Sequence, residues 1–498
     1  MDRLRTGDSQ VIVKPHVDWF ALAPVLSLLG ASGLLLMVAV FTRRAIRRIV
    51  AALVGFLGFV TAFVFAVLLD VKSAHGTALV HDAMFRDRWA ALAQVLIAGS
   101  GGVAVLISYR ERWRDEHVAE YYALLTATAA GMAFIVQASN LMTLFLALEW
   151  FSIGLYTLCA IDIDLIGSLE AGLKYLIVGS VGSATLLFGS ALVYGETGQL
   201  SFDKIAAFGH GGDAMLVVGL AMIVVGLTFK ASAAPFHMWT PDAYHGAPTP
   251  VTAFMSSATK VSALVVAYRL LVTGFPHDER LWTHSLAVIA IVSLAWGNIA
   301  ALVQRNVKRI LAYSAVSHTG FMLIAVSTAS ELGARAMMFY LVPYAAMSLG
   351  AFGIVAARER ELGVPVTLEN LAGFGWERPF LGVSMWVFML GFLGFPLTGG
   401  FIGKFYVFAA AWDRGWWWLI VAGVIATMIS AYYYLGVVRA MYFRDSAELR
   451  LAPAGGSPPR ELLLSAGVAI CLVVTVGTFF AVQPLIDVAR SAARALPL

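Results

Sequence analysis

Apolar runs of about 20 residues recur along the whole chain, separated by short polar turns. VLSLLGASGLLLMVAVF gives way to TRRAIRR and then to IVAALVGFLGFVTAFVFAVLLD. The alternation continues to LLLSAGVAICLVVTVGTFFAV near the carboxyl end. Each run can carry a helix across roughly 30 Å of hydrocarbon. The alternating ten-residue segments of a membrane β-barrel do not occur. The pattern predicts an all-α polytopic membrane protein of about 14 transmembrane helices. The spans expected are 19–41, 49–70, 88–108, 117–137, 139–160, 168–194, 213–234, 248–271, 284–303, 309–328, 334–356, 380–408, 416–440 and 461–485. The longest polar loops are too short to hold a soluble domain.

Two portions of the pattern echo each other. EAGLKYLIVGSVGSATLLFG begins at Glu170, and ARAMMFYLVPYAAMSLGAFG begins at Ala334. Lys230 closes one apolar run five residues before Pro235, and Lys404 follows a second break, FPLTGGFIGK, eight residues after Pro396. These landmarks predict two five-helix repeats, each with a broken helix. An odd number of spans turns the second copy upside down relative to the first. Inverted repeats with interrupted helices are a mark of ion and solute transport folds. The expected organisation is three N-terminal helices (1–112), a first repeat (113–273), a second repeat (284–445) and a C-terminal helix with its tail (459–498).

Composition agrees with the pattern. Of the 498 residues 60% are hydrophobic and only 13% charged, and the mean hydropathy is +0.81. Soluble domains carry about 25% charge. The formal net charge of +4 is small and scattered, which argues against a nucleic-acid partner. Cys159 and Cys471 lie in separate apolar runs and belong to no CxxC, so neither a disulfide framework nor an iron–sulfur site is expected. MDRLRTGDSQVIVKPHVDW lacks a small-residue cleavage site, so the first span reads as a retained helix. Lys and Arg concentrate in TRRAIRR, SYRERWR, VQRNVKR, AARERELG and the turn after VRAMYFR, which fall on one side. That side should be cytoplasmic, leaving both termini on the other. An inner (cytoplasmic) membrane is the expected location.

Ionisable residues inside the apolar runs are the candidate functional groups. One at mid-span costs roughly 2.5–3.5 kcal/mol on insertion scales, so it needs a partner or a task. Glu149, in NLMTLFLALEWFSIGLYTL, has no basic residue near it in sequence; Lys230 on another helix is the natural partner. Lys260 lies too deep in its span to reach either surface. Lys404 follows a helix break that only protein or a wet cavity can accommodate. His318 sits mid-span between Ser317 and Thr319, with an ordinary pKa near 6.5 suited to proton exchange. Lys174 lies one to two turns into its span, where its head could also reach the surface. His237 and His245 have neither the spacing nor the neighbours of a metal site, and no HExxH occurs. Gly99-Ser100-Gly101-Gly102 lacks the Lys-Ser/Thr ending of a phosphate loop and reads as helix packing.

A buried amine binds or loses a proton according to the distance of its acidic neighbour. Such a chain of bases needs no metal, nucleotide or covalent step. Uphill transfer needs a drive, about 2.3 kcal/mol per charge per 100 mV. The sequence has no Walker loop, dinucleotide fingerprint or conspicuous haem ligands, so that drive must come from an ion gradient or from partner subunits. A passive membrane scaffold, with its charges as static ion pairs, is the reading from a different class.

FKASAAPFHMWTPDAYHGAPTPVTAFMSSATKVSA strongly resembles the signature of the antiporter-like subunits of respiratory complex I. LEWFSIGLYTLCAI, SLEAGLKYLIVGS, NVKRILAYSAVSHTGFML and FPLTGGFIGKFYVF extend the match over most of 110–445. The stretch from Ser168 to Gly198 looks like the N-type subunit in particular. The resemblance implies fourteen helices with inverted five-helix repeats. It implies proton translocation driven by NADH:quinone electron transfer in other subunits, with no cofactor or metal in this chain. Glu149 and Lys230 would be the coupled pair of the first half-channel, Lys260 the central lysine and Lys404 the exit-side lysine. His318 falls where the family's tenth-span motif lies. Partners would be the lipid bilayer and other membrane subunits of the complex, sister antiporter-like subunits included. The same family reaches multi-subunit Na+/H+ antiporters and membrane-bound hydrogenases, which stand as the neighbouring alternatives.

Overall fold

Apolar runs become helices, and polar or glycine residues close them. The computed structural model describes residues 17–73, 76–80, 82–111, 117–209, 213–444 and 461–498. It begins with α1 (Ala23–Phe41), α2 (Arg44–Lys72) and α3 (Arg88–Ser108). A small antiparallel hairpin, β1 (Thr77–Leu79) and β2 (Met84–Arg86), joins the last two; the all-α pattern gave no sign of it. Next come α4 (Val118–Ile135), α5 (Leu141–Cys159), α6 (Ile166–Thr197) and the short α7 (Phe202–Phe208). They lead to α8 (Ala214–Lys230), α9 (Trp239–Gly246) and α10 (Thr249–Gly274). The second half holds α11 (Glu279–Leu302), α12 (Val307–Ser327), α13 (Glu331–Leu362), the single turn α14 (Phe374–Glu377), α15 (Pro379–Leu393), α16 (Gly399–Asp413) and α17 (Trp417–Phe443). The chain closes with α18 (Leu462–Phe480) and α19 (Val482–Ala493).

Among the described residues, twelve helices are long and apolar enough to cross a membrane. The two other expected spans are present as broken helices, α8 with α9 and α15 with α16. The span expected at 380–408 is interrupted between Leu393 and Gly399, at the FPLTGG break. α10, α12 and α13 are buried almost all round, whereas α1, α2, α6 and α17 expose broad apolar faces. A helix apolar on every side belongs in the middle of a bundle. Lys260 and His318 are therefore held at the centre.

The two halves use the same local devices. Asn140 caps α5 by accepting from the Met142 and Thr143 amides, and Asn306 caps α12 by accepting from the Arg309 amide. Leu141 N donates to Leu200 O at 3.0 Å, and Val307 N to Val366 O at 2.9 Å. Phe202 N donates to Ser139 O at 2.9 Å, and Leu368 N to Arg305 O at 2.9 Å. Each residue of the second set lies 166 positions after its counterpart (141 to 307, 200 to 366). α6 and α13 each run 32 residues. Each stops on a left-handed glycine, Gly198 at φ 66° and Gly363 at φ 72°.

Breaking a helix inside hydrocarbon frees backbone groups that must be met by protein or water. At the first break Ser232 turns left-handed at φ 67° and Pro235 contributes no N–H. Ala234 N donates to Ser293 Oγ at 2.9 Å, and Trp239 Nε1 donates to Phe229 O at 3.1 Å. At the second break Gly394 is left-handed at φ 83°, and Phe395 N donates to Leu390 O at 2.9 Å. α16 then passes so close to α15 that a Cβ on Gly400 would lie 1.9 Å from Gly391 O. Gly400→Ala should therefore destabilise the protein by about 1–3 kcal/mol. Thermal unfolding in detergent tests this, with Gly477→Ala, where a Cβ meets open space, as the neutral control.

Candidate functional site

Lys230 sits at the last turn of α8, just before the chain breaks, and is 2% exposed. Its Nζ donates to Ser152 Oγ on α5 at 2.7 Å and to the Tyr175 hydroxyl on α6 at 3.0 Å. The rings of Phe151, Tyr175 and Tyr156 lie 4.7, 5.1 and 5.8 Å from it. Such faces stabilise a cation that water does not reach. Tyr175 in turn stacks on Trp239 of α9, with ring centroids 4.3 Å apart and planes 11° from parallel.

Glu149 does not form the direct ion pair expected from the sequence. It is partly buried on α5, one turn before Ser152, and its Oε1 has no hydrogen-bond partner among the described residues. The hydroxyls of Ser152 and Tyr175 occupy the positions around the amine that a carboxylate would take. Glu149 thus acts on Lys230 through space.

The other buried bases form a second cluster. Lys260, 0% exposed, donates to Thr319 Oγ1 at 2.6 Å and to Ala231 O at 3.0 Å. That carbonyl is one of those released by the first helix break. His318, adjacent to Thr319, has Nδ1 2.7 Å from the Tyr340 hydroxyl and Nε2 3.0 Å from the Tyr434 hydroxyl. Tyr434 lies 2.5 Å from Ser314 Oγ. Lys404 donates to Leu393 O, the last carbonyl of α15, at 2.9 Å and to Thr427 Oγ1 at 3.2 Å. Its amine also stands 4.5 Å over the Phe321 ring. The buried hydroxyls of Tyr156, Ser232, Thr240, Tyr244 and Tyr344 have no protein partner among the described residues. Buried polar groups of this kind hydrogen-bond ordered water in folded proteins.

Lys174 lies outside this buried cluster. It is exposed and pairs with Glu170 at 2.7 Å and with Asp242 at 3.2 Å; Asp242 also receives Arg309 at 2.8 Å. Glu170, Lys174 and Asp242 rim a cavity of about 450 Å³ on the face that carries the Arg- and Lys-rich loops. His245, Lys308 and Glu359 line its wall. Lys174 is bonded in sequence to Tyr175, so the cavity rim and the Lys230 box share one turn of α6. His237 packs its ring against Trp296 and Tyr313. No group of three or more His, Cys, Asp or Glu able to hold a metal occurs among the described residues.

The family profile described as NADH:quinone oxidoreductase/Mrp antiporter, TM, matches residues 138–430. NADH-quinone oxidoreductase subunit N of Granulibacter bethesdensis is 39% identical over 87% of this chain and 91% of its own length. The chain belongs to the NADH-quinone oxidoreductase subunit N family. A second member, subunit N 2 of Roseiflexus castenholzii, is 36% identical over 97% of this chain and 98% of its own. Among solved structures, a chain of respiratory complex I from Thermus thermophilus matches with TM-score 0.78 and 29% identity over 93% of this chain and 98% of that one. A chain of the Mrp complex from Dietzia sp. DQ12-45-1b matches with TM-score 0.83 over 96% and 97%, at 22% identity, a likeness of fold alone.

Two charged sets in this subunit N fold escaped the sequence reading. Lys308 is almost wholly buried beside Glu359, although NVKR reads as a surface turn. Arg269 and Asp87 form a buried ion pair, with Arg269 Nη2 at 2.6 and 2.7 Å from the two carboxylate oxygens. Asp87 also caps α3 through the Ala90 amide, so the pair ties α10 to the start of α3. The available signal was Arg269 itself, a second charge nine residues beyond Lys260 in the same span. Removing one partner of a buried pair strands the other charge. Arg269→Ala should cost about 3–5 kcal/mol, and Arg269→Met with Asp87→Asn should recover much of it. Unfolding midpoints of the three purified forms test the pair.

Proposed function

We propose that this chain carries protons along the buried bases Lys230, Lys260, His318 and Lys404. Glu149 sets the charge of the first, and Lys174 stands at the mouth. The chain is a membrane subunit of a proton-translocating NADH-quinone oxidoreductase, as its family establishes. Its partners are other membrane subunits of the same complex, sister antiporter-like subunits among them. Electron transfer is carried out in other subunits of the complex, and the proposed route calls on no cofactor in this chain.

The observation that carries the reading is the bonding of the central amine. Lys260 is held by a freed carbonyl and by Thr319, whose sequence neighbour His318 continues to two tyrosine hydroxyls. In water an amine titrates near 10.4, too high to exchange protons at neutral pH. Withdrawal from water favours the neutral amine and a nearby carboxylate favours the ammonium, so small displacements decide who holds the proton. Hydroxyls and imidazole both donate and accept, and can pass a proton between amines.

We read 113–273 and 284–445 as inverted five-helix repeats. The matched caps, the matched backbone bonds and the paired broken helices support this. In the first copy the Asn140 cap lies by the hairpin, through the bridge of Met84 to Ala138. In the second the Asn306 cap lies on the Arg- and Lys-rich face, as an inversion requires. By the positive-inside rule that face is cytoplasmic and both termini lie opposite, in an inner membrane.

Lys230→Ala and Glu149→Ala should each leave the complex assembled but lower proton pumping in reconstituted vesicles by about tenfold or more. Normal pumping by both would remove the route. Full pumping after the buried amines are replaced by Met would leave only a scaffold role.

A further inference from the structure

The cavity on the Arg- and Lys-rich face ends at the joint between α9 and α10. Ala247 there is extended and Pro248 has no amide hydrogen, so the joint has little backbone bonding of its own. Two side chains from the second half hold it. Lys308 of α12 donates to Ala247 O and to Thr249 Oγ1, both at 2.9 Å. Thr249 Oγ1 donates to Glu359 of α13 in a short hydrogen bond, and Lys308 Nζ lies 3.8 Å from the other Glu359 oxygen. The ammonium thus meets the carboxyl end of α9 and the carboxylate the amino end of α10, each the favourable sign for its helix dipole.

We propose that Lys308 and Glu359 form a latch on this joint that positions the Lys230 box and couples it to the Lys260–His318 cluster. Their burial argues for a task. The Lys308 side chain is 5% exposed and the Glu359 side chain 21%. α9 carries the latch's pull inward. Its first residue, Trp239, stacks on Tyr175, and Tyr175 holds the Lys230 amine. The other ends of the latch act on the central cluster. α12 bears Lys308 and also His318 and Thr319, and α13 bears Glu359 and also Tyr340. One displacement at Thr249 therefore moves groups in both halves. His245 and Asp242 on α9 share the same cavity and would sense the same movement. Lys308 and Glu359 are positioning residues: neither lies in the line of buried bases.

The latch rests on the proposed route, so its test includes a route control. Lys308→Met, Glu359→Gln, Glu359→Asp and Lys230→Ala are made in the whole complex and reconstituted in vesicles. Protons moved per NADH oxidised, NADH oxidation by a soluble acceptor and the amount of assembled complex are measured together. Lys308→Met and Glu359→Gln should lower pumping about fivefold or more, as coupling between sites typically requires. Soluble-acceptor oxidation and assembly should stay unchanged, and Glu359→Asp should recover most of the pumping. Wild-type pumping in Lys308→Met and Glu359→Gln, with loss in Lys230→Ala, overturns the latch alone. Pumping that falls only in proportion to lost assembly makes the pair structural and also overturns it. Normal pumping by Lys230→Ala removes the route and the latch with it.

Discussion

The structure depends on what happens to a carbonyl oxygen released inside hydrocarbon. A helix that stops in the membrane leaves its last carbonyls without amides, and lipid offers them nothing. Here two such oxygens, Ala231 O and Leu393 O, are each met by a lysine from elsewhere in the bundle, Lys260 and Lys404. The arrangement solves two problems at once. The break gains a donor, and the buried amine gains an acceptor that carries no full charge. A carboxylate there would fix the ammonium state firmly. A carbonyl or a hydroxyl holds the amine in place without adding a full charge.

The same economy runs through the first half. Lys230 is held by Ser152, Tyr175 and aromatic faces, and Glu149 stands one turn away along α5. Direct contact between the charges would make a stable ion pair with little reason to separate. Glycines set close helix contacts in the surrounding bundle. Gly189 and Gly219 illustrate this: a Cβ on either would fall within 3 Å of the other's carbonyl.

Much of this was readable in the chain. Apolar runs of sufficient length could only be spans, and Lys260 could only be buried, because no other charged residue lies within eight residues of it on either side. The echo between 170 and 334 marked α6 and α13, which the structure shows as helices of equal length with the same glycine stop. Other features were hidden because they arise in three dimensions. Tyr175, Tyr340 and Tyr434 look like ordinary membrane aromatics until their hydroxyls meet Lys230 and His318. Lys308 looked like a loop charge because a turn residue, Asn306, precedes it; in fact Asn306 caps a buried helix. Arg358 to Glu361 read as a loop, whereas α13 runs on through them to Gly363. Glu149 stood out in the sequence as a mid-span carboxylate, but the hydroxyls of Ser152 and Tyr175 that hold the Lys230 amine could not be read there.

The length of α6 has a mechanical consequence. At 1.5 Å per residue its 32 residues span about 48 Å, well beyond the roughly 30 Å of a hydrocarbon slab. Its exposed flank, from Leu169 and Leu173 to Val181 and Phe188, is apolar, and a helix longer than the slab must lean or protrude to match it. Tyr175 rides on that helix and grips the Lys230 amine. Slab thickness, set by acyl-chain length, thereby becomes a mechanical input to the grip on that amine.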